Sequence, residues 1–149
     1  MPLDLATAED VDSDEAARAM AASRAALDIS IAEHAMNMLA PLEGVLALAV
    51  VEEGTGLVLA RQQREDHPVP LDLAAAASAQ VLRTHRQASR NMGLGGHVDE
   101  VITSAGQRHH VMRLASKLPG QFLFAVLDKE RTNLALTRYK LMEAEQDLA

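Results

Sequence analysis

Cysteine and tryptophan are absent, and the only phenylalanine or tyrosine rings among the 149 residues are Phe122, Phe124 and Tyr139. Without cysteine there is no disulfide framework, no thiolate metal site and no cysteine nucleophile, which agrees with a reducing compartment. So few rings argue against a nucleic-acid module that stacks bases on aromatic side chains. A long apolar run is missing as well. A membrane-spanning helix needs about 20 consecutive apolar residues, and Val45 to Val51 stops after seven at Glu52 and Glu53. The opening "MPLDLATAED" has neither the basic start nor the apolar stretch of a secretory signal. The expectation is a cytoplasmic chain with no membrane insertion.

What is present is 48% apolar residues and a net charge of −7, ordinary for one globular domain. The charge is uneven. Asp4, Glu9, Asp10, Asp12, Asp14 and Glu15 fall within the first fifteen residues, which hold no base. The rest is nearly balanced, at 15 acids against 14 bases. Residues 1–13 therefore read as an acidic, disordered, solubilising tail, and residues 14–149 as a single domain.

Local patterns divide that domain into elements. A long helix is expected from Asp14 to Ala40, capped by Ser13 and ended by Pro41, with Met20, Leu27, Ile31, Met38 and Leu42 on one stripe. Asp28, Ser30 and the isoleucines beside them mark a point where it could break. "GVLALAVVEEGTGLVLA", Gly44 to Ala60, reads as a hairpin turning at "EEGTG". Its first strand carries Leu46, Leu48 and Val50 on one side and smaller residues on the other. Neither side is polar, so both are covered. After the loop "QREDHPVP", with Asp72 as a helix cap, a second helix is expected from Leu73 to Met92. Its core stripe is Leu73, Ala77, Val81, Thr84, Ala88 and Met92, and "GLGG" ends it. Strands at 98–103, 109–115 and 122–127 follow, and a last helix from Thr132 to Leu148 is lined by Leu134, Thr137, Leu141, Ala144 and Leu148. This order specifies an α+β protein: an α/β/α sandwich around a central five-stranded antiparallel sheet.

Catalytic and ligand motifs find no support. "EEGTG" joins strand to strand, has no lysine and places carboxylates where phosphates would sit, so it is not a phosphate loop. His109 and His110 are adjacent on a strand and point to opposite faces, which is a poor way to share a metal ion. Glu52 and Glu53 read as a solvated turn. No serine sits in a nucleophile elbow. The expectation is a non-enzyme without cofactor or metal.

The second helix has the most informative surface. Stepping by 100° places Asp72, Ala75, Ala76, Ala79, Arg83, Arg86 and Arg90 opposite the core stripe. An alanine patch permits close helix-to-helix approach, and arginine suits a protein interface. One reading is a dimer contact through Ala75, Ala76, Ala79 and Arg83, with Arg86 and Arg90 touching a partner. The other is a surface helix filled with a good helix former and a solvated arginine row. Both stand at this point.

"LEGVLALAVVEEGTGLVLA" resembles the first hairpin of the roadblock family, the dynein light-chain and small-GTPase-regulator domains. "HHVMRLASKLPGQFLFAVLDKERTNLALTRYKL" resembles its closing half. The resemblance runs from about Ile31 to Leu148. It implies the profilin-like roadblock architecture, with one helix on one face of the sheet and two on the other. It also implies homodimers or heterodimers, often with the second helix near the two-fold axis, and a non-catalytic role as a scaffold or a regulator of small Ras-like GTPases. The best-known bacterial roles of the family that the chain resembles are in polarity and gliding motility. The expectation that follows is a homodimeric module that binds or regulates a small Ras-like GTPase, with a pure scaffold or a small-molecule sensor as alternatives.

Overall fold

The computed structural model describes residues 14–18 and 28–148. Residues 1–13, the Ser13 cap, Met20 and Leu27 lie outside them. Residues 14–18 are helical, but the helix that joins the domain, α1 (Ile29–Leu39), starts afresh. The Asp28 carboxylate accepts from the Ser30 and Ile31 amides, satisfying donors that a helix start leaves open. That bond set also holds its carboxyl below the usual range, the Ser30 side chain contributing most. The helix expected from Asp14 to Ala40 is interrupted at Asp28, one of the residues where the sequence allowed a break. Its apolar stripe is corrected: Ala32, Ala35, Met36 and Leu39 are buried, whereas Met38 is exposed.

The other elements are β1 (Val45–Glu52), β2 (Val58–Gln63), α2 (Leu71–Asn91), β3 (Glu100–Ala105), β4 (Arg108–Leu114), β5 (Gln121–Asp128) and α3 (Leu134–Gln146). The strands form one antiparallel sheet in the order β2-β1-β5-β4-β3. β1 is buried along its whole length and β5 along nearly all of it. Strands apolar on both sides sit in the middle because only there can helices cover both faces.

α1 and α3 cover one face, packing Met36, Leu39, Leu141, Ala144 and Leu148 on Leu48, Val50, Val111, Leu123 and Leu127. α2 covers the other, on Ala47, Ala49, Val51, Met112, Phe122 and Phe124. Each large apolar side chain buried in this way contributes roughly 1.5–3 kcal/mol. Leu46 joins Ala47 on the α2 face instead of Leu48 on the other, because the β1–β5 register slips between Val45 and Ala47. A bulge there turns two consecutive side chains to one side.

Polar contacts pin the helices. Asn133 caps α3 by accepting from the Leu136 amide. Arg138 of α3 pairs with Glu100 of the edge strand β3 at 2.6 Å. Asp72 is not a cap; it pairs with Arg61 of β2 at 2.6 Å, and the residue before α2 is Pro70, which offers no side-chain bond. No helix among the described residues is long and apolar enough to cross a membrane.

The hairpin turn and α2 meet at Gly56. Its φ is +74°, and a Cβ there would come within 2.9 Å of the Ala76 Cα. Gly56→Ala is therefore expected to lower stability by about 1–3 kcal/mol, read as a shift in the urea midpoint at unchanged slope.

Candidate functional site

α2 docks in the opposite phase to the one its larger residues suggest. Leu71, Ala74, Ala75, Ser78, Ala79, Leu82 and Ser89 face the sheet, and Ala75 and Ala79 are 0% exposed. Leu73 is 71% exposed and Met92 65%. Placing Ala75 and Ala79 on the outward face is thus corrected: their methyls are spent against the sheet and are closed to a second chain. The physical reason is volume. Phe122 and Phe124 fill the space above the sheet, packed edge to face with centroids 6.2 Å apart, so the helix must bring small residues down onto them. The alternation of small residues at steps of three and four was visible in the sequence, but the larger Leu73, Val81 and Met92 outweighed it.

The outward side of α2 consequently carries Leu73, Ala77, Val81, Thr84 and Met92, with Leu94 just beyond at 69% exposed. Ala77, Gln80, Val81, Thr84 and His85 line a shallow groove of about 400 Å³. Gly93, with φ +77°, ends the helix as its position predicts.

The three arginines separate into different roles. Arg86 forms a two-pronged ion pair with Glu53 and also donates to the Gly96 carbonyl. The two side chains are only 24% and 12% exposed, so the reading of Arg86 as a free partner contact is corrected. Arg83 donates to the Glu53 carbonyl at 2.7 Å, and Glu53 in turn donates its amide to the Gly120 carbonyl at 2.8 Å. Arg83 remains exposed, as does Ala76. Arg90 lies over Gly96 and is exposed. "EEGTG" is not a solvated turn either: Glu52 and Glu53 are 8% and 9% exposed, and Glu52 accepts from the Gly54 amide. Two glutamates at a turn look solvated until a distant arginine is known to meet one of them.

Beside this cluster, Arg86, His97, Arg113, Gly120 and Glu145 line a cleft of about 320 Å³ at the end of the sheet. Arg113 Nε is buried without a hydrogen-bond partner. Glu145 is buried and accepts from the Ser116 amide at 2.6 Å. Among the described residues no group of three or more His, Asp or Glu could hold a metal ion. His109 and His110 do face opposite sides: His109 bonds Ser104 at 2.6 Å, and His110 stacks edge-on against Phe124.

Two outcomes follow from these placements. Removing one member of the Glu53–Arg86 pair strands the other in a mostly buried position, so Glu53→Ala should cost about 3 kcal/mol in a denaturant titration. Burial, and then the Arg108 charge, push the His110 pKa below its ordinary 6.5. The neutral form is the one that fits, so stability is full above the unfolded-chain value and declines as pH falls through the depressed one. His110→Phe should flatten the fall in urea midpoint between about pH 7 and pH 5.

Against known proteins, no protein-family model matches the chain and no curated protein is significantly similar in sequence. Solved structures are similar in shape. A Roadblock/LC7 domain from Streptomyces avermitilis superposes with a TM-score of 0.63 at 18% identity, covering 74% of this chain and 88% of that one. The gliding protein MglB from Thermus thermophilus gives 0.67 at 18%, covering 81% and 90%. MglC from Myxococcus xanthus gives 0.52 at 27%, covering 78% and 93%. The five-stranded antiparallel sheet, with α2 on one face and α1 and α3 on the other, is the roadblock fold.

Proposed function

We propose that this chain is a member of the roadblock family that acts as a non-catalytic homodimer and binds or regulates a small Ras-like GTPase. The observation that carries the reading is the outward side of α2 on a roadblock fold, where Leu73 and Ala77 are exposed and Val81 is half-buried beside the exposed Thr84. A surface helix that meets only water keeps its outward side polar. This one leaves Leu73 and, just past its end, Met92 largely exposed, with Val81 half-buried between them, the mark of an interaction surface. A second copy is the proposed occupant, since a two-fold axis brings the same patch of both copies together. The partner is then bound by surface complementarity, with the partner's own residues performing hydrolysis. Arg90, exposed at the end of α2, is the partner contact retained from the sequence.

A small-molecule sensor needs space between helix and sheet. Leu82, Met112, Phe122 and Phe124 are each fully buried in that layer, which supports the interaction reading over the sensor. A pure scaffold without a GTPase differs only in the partner.

Light scattering at micromolar concentration should give the mass of a dimer. Val81→Glu should give a monomer with an unchanged far-ultraviolet spectrum; a monomeric parent chain, or a dimer that survives this change, would remove the α2 interface. Immobilised protein exposed to lysate loaded with GTP or GDP should retain a small GTPase in one state more than the other. Retention in neither state would favour the scaffold.

A further inference from the structure

We propose, on the basis of the α2 dimer put forward above, that the two copies of α2 pack antiparallel in one register, with the two-fold axis crossing between Leu82 and Arg83. Leu73 then meets Met92 of the second copy, Ala77 meets its Ala88, and Val81 meets its Thr84. The outward stripe reads the same from both ends. Leu73 and Met92 have their midpoint between positions 82 and 83, and so do Ala77 with Ala88 and Val81 with Thr84. The pairs match in type as well: two long flexible apolar side chains, two alanines, and two β-branched residues of nearly the same shape. Leu73 is 71% exposed and Met92 65%, Ala77 and Thr84 are exposed, and Val81 and Ala88 are half-buried.

A two-fold axis relates two side-by-side helices in one of two ways. Parallel to them, it sets each residue against its own copy. Perpendicular to them, it runs the helices antiparallel, and each residue meets the one equally far beyond the axis. A stripe that is symmetric about its middle stays in contact end to end in the second arrangement. Sliding one copy by a turn sets Met92 against Val69, ahead of α2, or Leu73 against Gly96, beyond it. The symmetric register covers both. Charge selects the same arrangement. None of the six stripe residues is charged. Asp72, the only acid of α2, lies at its start, whereas Arg83, Arg86 and Arg90 lie in its second half. Antiparallel copies bring the acidic end of one beside the basic end of the other and oppose their macrodipoles; parallel copies bring like ends together. Side-chain length follows position too. Packed helices lie about 8–10 Å apart and diverge from their closest point. Alanine and β-branched residues therefore belong near the axis, and Leu73 and Met92, about 14 Å along the helix from it, have the reach needed at the ends. Gln80, Arg83 and Gln87 lie along one side of the stripe. The perpendicular axis keeps that side of both copies on one face, a surface that a monomer does not have.

The lack of native cysteine permits a distance test. Nitroxides are placed one at a time at Ala76→Cys, Gln80→Cys, Gln87→Cys and Asn91→Cys, exposed positions beside the stripe, and the dipolar coupling between the two copies is measured. The separation along the helices should be about 8 Å at Gln80, about 14 Å at Gln87, about 20 Å at Ala76 and about 26 Å at Asn91, with a lateral distance added to each. The measured distances should therefore increase in the order Gln80, Gln87, Ala76, Asn91. A shorter distance at Ala76 than at Gln87, or at Gln87 than at Gln80, moves the axis by a turn and overturns the register while the α2 dimer stands. Four equal distances mean parallel helices and overturn it as well. Coupling at none of the four positions takes the interface off α2 and overturns both the register and the α2 dimer. A second measurement needs no label. Chains with Ala77→Cys mixed with chains with Ala88→Cys should form the mixed disulfide in about tenfold excess over either self-pair, because alanine positions bring Cβ atoms within disulfide reach. Self-pairs in excess overturn the register.

Discussion

The pairing of β1 with β5 is the constraint on which the rest of the molecule depends. Both strands are apolar on both sides, and they pair from Val45–Leu127 to Glu52–Gln121. Two such strands cannot lie at an edge or face water on either side. They require flanking strands, β2 and β4, and a helix layer above and below. The three-layer architecture follows from covering the unbroken run of buried residues in each strand, with the helices as covers. The ion pairs Arg61–Asp72 and Arg138–Glu100 tie each cover to an edge strand, where water remains close enough for the charges to be hydrated.

The cover on the α2 side has the greater consequence for function. Phe122 and Phe124 project into that layer, and the helix accommodates them with alanine and serine. Because the small side of the helix is used internally, its larger apolar residues are left outside. The exposed stripe is thus a product of core packing. The turn at "EEGTG" reinforces the same placement: Gly56 allows the Ala76 backbone to approach, and Arg83 and Arg86 hold Glu53 from above. Helix, turn and the β4–β5 loop form one braced corner, joined through the Glu53 amide and the Gly120 carbonyl.

Much of the fold was legible in the chain because its signals are local. An unbroken apolar run marks β5, and glycine marks the turns. The candidate surface was located on the correct helix but on its wrong side. Ala75 and Ala79 were read as outward, whereas Leu73, Val81 and Met92 were read as core. The error has a physical origin. Helical periodicity defines two opposite stripes with nearly equal clarity when one is small and the other moderately apolar, and side-chain size alone does not select between them.

The central place of β1 and β5, the turn positions, the approximate extents of α2 and α3 and the separation of His109 from His110 were determined by the sequence itself, since each depends on neighbours within a few residues. The phase of α2, the bulge that moves Leu46 to the other face, and the burial of Glu52 and Glu53 were decided only in the tertiary structure. Each of these depends on a group far along the chain: the two phenylalanines of β5, the register of β5 against β1, and Arg86 on α2. Volume and charge compensation across such separations are settled where the elements meet, and nothing within one element encodes them.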